Sequence, residues 1–285
     1  MTHADEDGVG PGEGEEQPKG FRGVARMKSI SSRANPRFKT LKKLLGNRRK
    51  KTGPILLEGL HLVESYIDRF AVPVEFFVSE KGMRNPEVAR FLDHANAEKN
   101  LTLLSDALFD EMATLEAPSG IMALADRPLP EGDAADDVDA VLLDGIQDPG
   151  NLGSIFRSAA AAGVRQILLS PDCAQAWSPK TLRAGMGAHF QLDLHENADL
   201  PAFLAAYKGR AVLTTLESKT DLYSLDLKEP LAWVFGSEGQ GVGPRLLEAV
   251  KLRVKIPMPG KVESLNVAAA ASVCLFEMVR QRTED

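Results

Sequence analysis

The chain has 285 residues, 44% hydrophobic and 26% charged, and a net charge of −6. That is room for two ordinary domains with real cores, and the balance of a soluble globular protein. No apolar run approaches the roughly 20 residues that span a bilayer, so no membrane partner is expected.

The net charge hides a segregation along the chain. Residues 1–18 carry six acids and no Lys or Arg, residues 19–51 carry thirteen Lys and Arg and no acid, and residues 52–285 carry 21 Lys and Arg against 34 acids. Residues 1–25 are rich in Gly, Glu and Asp, which predicts a disordered tail lacking the apolar stretch of a secretory signal. The basic segment suits phosphate contact, with Arg33, Arg37 and Lys39 as candidates. Phe38, Leu41, Leu44 and Leu45 fall at helical spacing and predict a helix from Arg33 to about Gly46.

Short strands are then predicted at Ile55–Leu57, Val74–Val78, Leu101–Leu104 and Gly120–Ala125, with helices at Leu60–Phe70, Pro86–Ala95 and Asp106–Met112. The Pro, Gly and acid content of Arg127–Asp137 marks a linker. Beyond it, strands are predicted at Ala140–Leu143, Gln166–Leu169, Ala211–Thr215, Leu231–Phe235 and Leu252–Ile256. Helices are predicted at Leu152–Ala162, Pro179–Met186, Leu200–Tyr207, Pro244–Val250 and Leu265–Arg280. The expected organisation is a tail over 1–25, a small α/β domain over 26–126, a linker over 127–138 and a second α/β domain over 139–285. The alternation in the second domain predicts a mostly parallel sheet covered on both faces, with ligands beyond the strand C-termini.

Three loops rich in Gly or Pro fall at those ends: DGIQDPGNLGSIFR (Asp144–Arg157), GSEGQGVG (Gly236–Gly243) and IPMPGKVESLNVA (Ile256–Ala268). In the first, Asn151 stands at an N-cap position and Gly163 at the far end as a C′ residue. Leu152, Ile155, Phe156 and Ala159 share the sheet-facing sector, while Asn151, Ser154, Arg157 and Ser158 share a polar one. Alone, Asn151 reads as a cap and Arg157 as a surface charge. The second loop carries neither G-x-G-x-x-G nor G-K-[ST], so a nucleotide phosphate fits poorly and a cofactor without phosphates fits better. Glu238 is its only acid. In the third, Ser264 reads as a cap to a helix apolar on nearly every side, hence buried. Cys173 and Cys274 read as buried thiols of a reducing cytoplasm, and the five scattered histidines suggest no metal site.

In this order the three segments closely resemble the motifs of the SpoU (TrmH) family, 2′-O-ribose RNA methyltransferases of the knotted SPOUT class. The resemblance is strong over the second domain and weaker over the first. It implies a deep trefoil knot, not expected from the pattern itself, and S-adenosylmethionine held by backbone around Gly236, Gly241, Ile256 and Leu265, with Met258 near the adenine. It also implies a site of Asn151, Arg157, Glu238, Ser264 and Asn266, with Glu238 orienting Asn151 or Arg157. Arg157 would either deprotonate transiently in a desolvated complex or stay cationic, fixing a phosphate and stabilising the developing alkoxide.

Lys180 and Arg183 match the family's SPK-x-x-R segment near the RNA. Asn35, Pro36, Lys39, Glu58, Gly59 and Val63 resemble the substrate-recognition domain that precedes the catalytic one in many members, a fold shared with some ribosomal proteins. The resemblance further implies a C2 homodimer built on Leu265–Val279, and RNA as partner because the acceptor is a 2′-hydroxyl. Ribosomal RNA is favoured. Transfer RNA, a non-catalytic RNA-binding or ribosome-assembly module, and methylation of a base nitrogen are the alternatives.

Overall fold

The computed structural model describes residues 27–46, 53–70 and 75–283. The tail expected over 1–25, residues 47–51 at the end of the basic segment and Val74 of the second expected strand lie outside them.

The first sheet has five strands: β1 (Lys28–Ile30), β2 (Ile55–Glu58), β3 (Glu75–Ser79), β4 (Leu101–Leu104) and β5 (Ile121–Ala125), in the order β1-β4-β3-β5-β2. Helices α1 (Pro36–Gly46), α2 (Leu60–Arg69), α3 (Glu80–Arg84), α4 (Pro86–His94) and α5 (Asp106–Met112) cover it. The sheet is mixed, because β5 runs antiparallel to both β2 and β3. Consecutive side chains of a strand point to opposite faces. So Phe76 and Val78 of β3 join one core with Val63, Val88 and Leu92, while Phe77 joins another with Phe38, Leu41 and Phe109. Two covered faces explain why these strands are apolar throughout rather than alternating.

The second sheet contains β6 (Ala140–Asp144), β7 (Gln166–Leu169), β8 (Asp193–Glu196), β9 (Arg210–Thr214), β10 (Leu231–Gly236) and β11 (Leu252–Val254), ordered β11-β9-β10-β6-β7-β8 with every pair parallel. Helices α6 (Pro149–Ala161), α7 (Pro179–Gly185), α8 (Leu200–Ala206), α9 (Pro244–Ala249) and α10 (Val267–Thr283) complete the unit. Val141, Leu143, Trp233 and Phe235 face a core shared with α6 and α10. Ala140, Leu142, Ala232 and Val234 face one shared with α8 and α9. This is the doubly covered parallel sheet that the strand–helix alternation predicts. No described helix is long and apolar enough to cross a membrane.

Four sequence expectations change. Strands β1 and β8 and helix α3 have no counterpart among the elements expected from the sequence pattern. Helix α6 begins at Pro149, not Leu152, because Asp148 is its cap, accepting the Asn151 N–H at 2.9 Å. Helix α10 begins at Val267 rather than Leu265; its first-turn N–H groups at Ala268 and Ala269 donate to Asn266 Oδ1 at 3.0 and 3.3 Å, not to Ser264. And α10 is not buried all round: Ala269 is exposed and Phe276 is 47% exposed.

The residues between the sheets, from Arg127 to Asp139, form no helix or strand but are tied to the second sheet. Gln166 accepts the Ala135 N–H at 2.7 Å and donates to its carbonyl at 2.9 Å, and Arg127 pairs with Glu196. The two units also share a packed seam. Leu182 and Phe190 join the core of the first sheet, and the Phe190 ring meets Tyr66 edge-on at 5.4 Å.

Beneath that seam His189 is fully buried, with Phe156 edge-on at 5.0 Å and Nε2 placed to donate to the Ala176 carbonyl at 2.8 Å. Burial pushes its pKa down to about 4. The folded protein holds a neutral imidazole, whereas the unfolded chain takes up a proton near pH 6.5. Stability from this group is therefore fully present above about pH 6.5 and is lost as pH falls toward 4, a swing of about 3 kcal/mol. Urea titrations of wild type and His189→Leu between pH 7.5 and 4.5 check this: the wild-type midpoint falls more steeply than the variant's.

Candidate active site

All six strands of the second sheet run parallel, so their C-terminal ends lie along one edge. The first loop leaves β6, the second leaves β10 beside it, and the third follows β11. Gly236, the last residue of β10, pairs in register with Asp144, the last of β6. The Asp144 carboxylate then accepts the Gly243 N–H at 2.7 Å, clamping the end of the second loop to the start of the first. No sequence pattern marks Asp144 for this role, since it is a lone acid at a strand end.

Three polar side chains from the three loops meet. Asn151 Nδ2 donates to Glu238 Oε1 at 2.9 Å. Asn266 Nδ2 donates to the same oxygen at 2.8 Å and to Asn151 Oδ1 at 2.9 Å. Each carboxamide is thus fixed in rotamer and flip by its neighbours. The arrangement needs the caps just described. Asp148 satisfies the helix start, so the Asn151 side chain is free for Glu238, while Asn266 caps α10 through Oδ1 and uses Nδ2 for the cluster. The Asn151 N–H, with the Lys180 ammonium 3.5 Å away, holds the Asp148 carboxyl below the usual carboxylate range. The pair Asp148-Pro149, a cap followed by proline at the first helical position, is the sequence signal that marks this start.

Glu238 therefore orients Asn151 and not Arg157. Arg157 is exposed and, among the described residues, has no hydrogen-bond or ion-pair partner. It lines a separate recess of about 390 Å³ with Ser65, Asp68 and Arg69 of α2 and Met186–Ala188, on the side facing the first domain. Ser264 is likewise exposed and outside the cluster.

Backbone dominates the second and third loops. A Cβ on Gly236 would lie 2.2 Å from the Gly241 carbonyl carbon and 2.5 Å from Val242 N, so only glycine fits there. Ser237 and Gly241 exchange both backbone hydrogen bonds at 2.9 Å, and Gly241 has a φ of +69°. From Ile256 to Asn266 the chain forms no helix or strand; Ile256 and Met258 are half-buried and Leu265 is 37% exposed. The second loop contains no Lys or Arg. Apolar side chains and backbone N–H and C=O groups outside regular ladders suit a ligand read by shape and backbone hydrogen bonds, not one held by a cationic cradle. S-adenosylmethionine meets that description. Neither thiol offers a nucleophile, because burial raises both, Cys274 to about 12.

The remaining RNA candidates are more engaged than their sequence suggests. Arg183 Nη1 donates to the Thr114 carbonyl at 3.1 Å, and Glu58 accepts the Thr114 N–H at 2.9 Å, so this arginine braces α7 against the first domain. Arg33 pairs with Glu111 at 2.7 Å, and Arg37 Nε donates to Glu75 at 2.9 Å. Lys39 is exposed. The acid-free basic segment thus finds part of its counter-charge in acids far along the chain.

Comparison with known proteins accords with this geometry. Residues 140–276 match the SpoU rRNA Methylase family, and residues 35–123 match an MRM3-like substrate binding domain. The 23S rRNA (guanosine(2553)-2'-O)-methyltransferase of Bacillus subtilis is 32% identical over 88% of this chain and 99% of its own length. The chain belongs to the SpoU methylase family. Within that family, mouse mitochondrial rRNA methyltransferase 3 is 33% identical over 82% of this chain and 69% of its own. Among solved structures, an AdoMet-bound rRNA methyltransferase from Sinorhizobium meliloti superposes with a TM-score of 0.75 at 27% identity, covering 90% of this chain and 98% of that one. This SpoU member is an α/β protein whose three loops bring one carboxylate and two carboxamides into mutual contact.

Proposed function

We infer that this protein transfers a methyl group from S-adenosylmethionine to a ribose 2′-hydroxyl of ribosomal RNA, working as a cytoplasmic C2 homodimer. The observation that carries the reading is the contact of Asn151, Glu238 and Asn266 at 2.8–2.9 Å, one residue from each loop. Its setting in a chain that matches a curated 23S rRNA 2′-O-methyltransferase over nearly the whole of that enzyme's length supports the substrate. Exposed Phe276 on α10 supports pairing of two copies through that helix. The threading of the C-terminal segment into a knot belongs to this same reading.

S-adenosylmethionine, when bound, supplies a methyl group already activated on a sulfonium. The chain's own work is positioning and exclusion of water. Backbone of Gly236–Gly241 and Ile256–Leu265 would hold the cofactor, with Met258 and Ile256 as apolar contacts. The carboxamide cluster fixes the loops relative to one another. Transfer to the 2′-oxygen would require that oxygen to lose its proton, which, with Arg157 already protonated, would pass to solvent water. A cation near that oxygen would stabilise the negative charge it develops, and Arg157 would be that cation, its exposed and unpartnered guanidinium free to turn toward the bound RNA and grip an adjacent phosphate with two N–H groups. Arg157→Lys is therefore expected to lose activity at every pH from 6 to 10; recovery at high pH would instead mark a titrating base.

The substrate assignment is tested by supplying labelled S-adenosylmethionine with unmodified 23S ribosomal RNA or unmodified tRNA in separate reactions. Label in the ribosomal RNA alone is expected. Label in tRNA alone overturns the substrate and keeps the chemistry, and cofactor binding without label in either points to an assembled particle.

A further inference from the structure

Helix α7 has seven residues, too few to be stable alone, so its place is set by what it packs against. Two bodies hold it. On one side Leu182, 1% exposed, belongs to the core of the first sheet, and α7 lies against β2. Arg183 donates to the Thr114 carbonyl at 3.1 Å. Glu58, the last residue of β2, fixes that turn: it accepts the Thr114 and Leu115 N–H groups at 2.9 and 3.1 Å, and the Thr114 hydroxyl as well. On the other side α7 meets α6 backbone to backbone. A Cβ on Gly153 would stand 2.5 Å from the Thr181 carbonyl oxygen and 2.8 Å from the Gly185 N, so only glycine allows this approach. Gly153 lies two residues beyond Asn151. At i and i+4 it shares a face of α6 with Arg157, whose recess is lined by Gly185 at the end of α7 and by Met186 just beyond. The Lys180–Asp148 pair adds a contact to the cap of α6, though an exposed pair of this kind is weak. The backbone contact leaves no slack, because close-packed interiors transmit displacement. Packing alone would require α7 to be buried. It would not require one short helix to touch the first domain on one side and the turns carrying Asn151 and Arg157 on the other.

We propose that α7 is a wedge through which the first domain positions the active-site helix α6, making Glu58 and Gly153 positioning residues for methyl transfer. The inference rests on the catalytic reading above. The first domain then contributes to the rate of transfer and not only to the hold on substrate. Release of the Thr114 turn would let α7 tilt, and α6 would follow. Asn151 would leave its alignment with Glu238, and Arg157 on the same helix would shift with it. A lesion confined to substrate binding raises KM and spares kcat, whereas loss of positioning lowers kcat and kcat/KM together. The two roles of the first domain are therefore separable by kinetics.

The test uses the full chain. Glu58→Gln leaves one acceptor oxygen for three donors, and Gly153→Ala pushes α7 from α6 directly. Glu116→Gln, exposed two residues beyond Thr114, is the charge control. Kinetics on an unmodified 23S ribosomal RNA transcript separate kcat from KM, and hydrogen–deuterium exchange is followed over residues 149–157. Glu58→Gln is expected to lower kcat about tenfold with KM for RNA within about twofold of wild type, and Gly153→Ala to lower kcat about 100-fold. Amide exchange over 149–157 should rise about tenfold in Glu58→Gln, in a helix that the substitution does not touch. Glu116→Gln should match wild type in every measurement. Should Gly153→Ala fail to fold, Glu58→Gln, a change of one half-buried side chain, decides alone. A raised KM with unchanged kcat in Glu58→Gln, unchanged exchange over α6, or an equal fall of kcat in Glu116→Gln would each overturn the proposal. Absence of methyl transfer by wild type, with the exchange difference intact, would instead overturn the catalytic reading and leave the coupling of the first domain to α6 standing.

Discussion

In Asn266→Asp, methyl transfer is expected to fall about 100-fold or more while thermal stability stays close to wild type. Asn266 does two jobs with two atoms. Its Oδ1 caps α10, accepting from Ala268 and Ala269, and its Nδ2 donates to Glu238 and Asn151. Aspartate is as good a cap as asparagine, so the helix start survives. It has no N–H to donate, however, and sets a second carboxylate where an amide stood 2.8 Å from Glu238 Oε1. Like charges at that range repel, and the cluster that aligns the three loops opens. A displacement of about 1 Å is enough to cost about 100-fold in a positioning-dominated reaction. Paired measurements of kcat/KM and of the melting temperature decide the matter. A variant equally active and equally stable would reduce Asn266 to a cap, and the cluster to a surface contact.

The second large effect is expected from Gly236→Ala. The added methyl would stand 2.2 to 2.5 Å from backbone atoms of Gly241 and Val242, none of which is a flexible side-chain end. Relief requires breaking the paired Ser237–Gly241 hydrogen bonds or moving the end of β10 off β6. Overpacking of this kind costs about 1–3 kcal/mol. Because the strain falls on the loop and not on the core, it should be read chiefly as lost cofactor affinity, about 5- to 150-fold in Kd by calorimetry. Gly239→Ala is the control, since a Cβ there meets nothing within 4 Å. Equal affinity in Gly236→Ala and wild type would place the cofactor elsewhere.

Much of this architecture is legible in the sequence, and the reasons differ by element. Strands β6, β7 and β10 announce themselves as short apolar runs because both faces of their sheet are covered. Helices α7 and α8 carry Ser178-Pro179 and Asp199 at their starts, caps whose side chains accept the Thr181 and Ala202 N–H groups. β1 and β8 were hidden because each lies at a sheet edge, where three or four partly exposed residues gain strand geometry from a neighbour rather than from their own pattern. The loops were legible as loops, and motif likeness nominated Asn151, Glu238 and Asn266. Local spacing could not say which of Ser264 and Asn266 caps α10, nor that Asp148 would relieve Asn151 of that duty. Arg183, Arg33 and Arg37 read as free cations because their partners Thr114, Glu111 and Glu75 stand 38 to 78 positions away in the chain. Tertiary pairing at such distance leaves no mark in a local charge count.

The most direct test of the central claim is the chemical position of the transferred methyl. Ribosomal RNA labelled by the wild-type protein from S-adenosylmethionine would be hydrolysed in alkali and the products separated. The predicted result is label in an alkali-resistant dinucleotide, the mark of a blocked ribose 2′-oxygen, absent when Asn266→Asp replaces the wild type. Label recovered in mononucleotides, on a base, or undiminished in Asn266→Asp would contradict a ribose methyltransferase organised by this cluster.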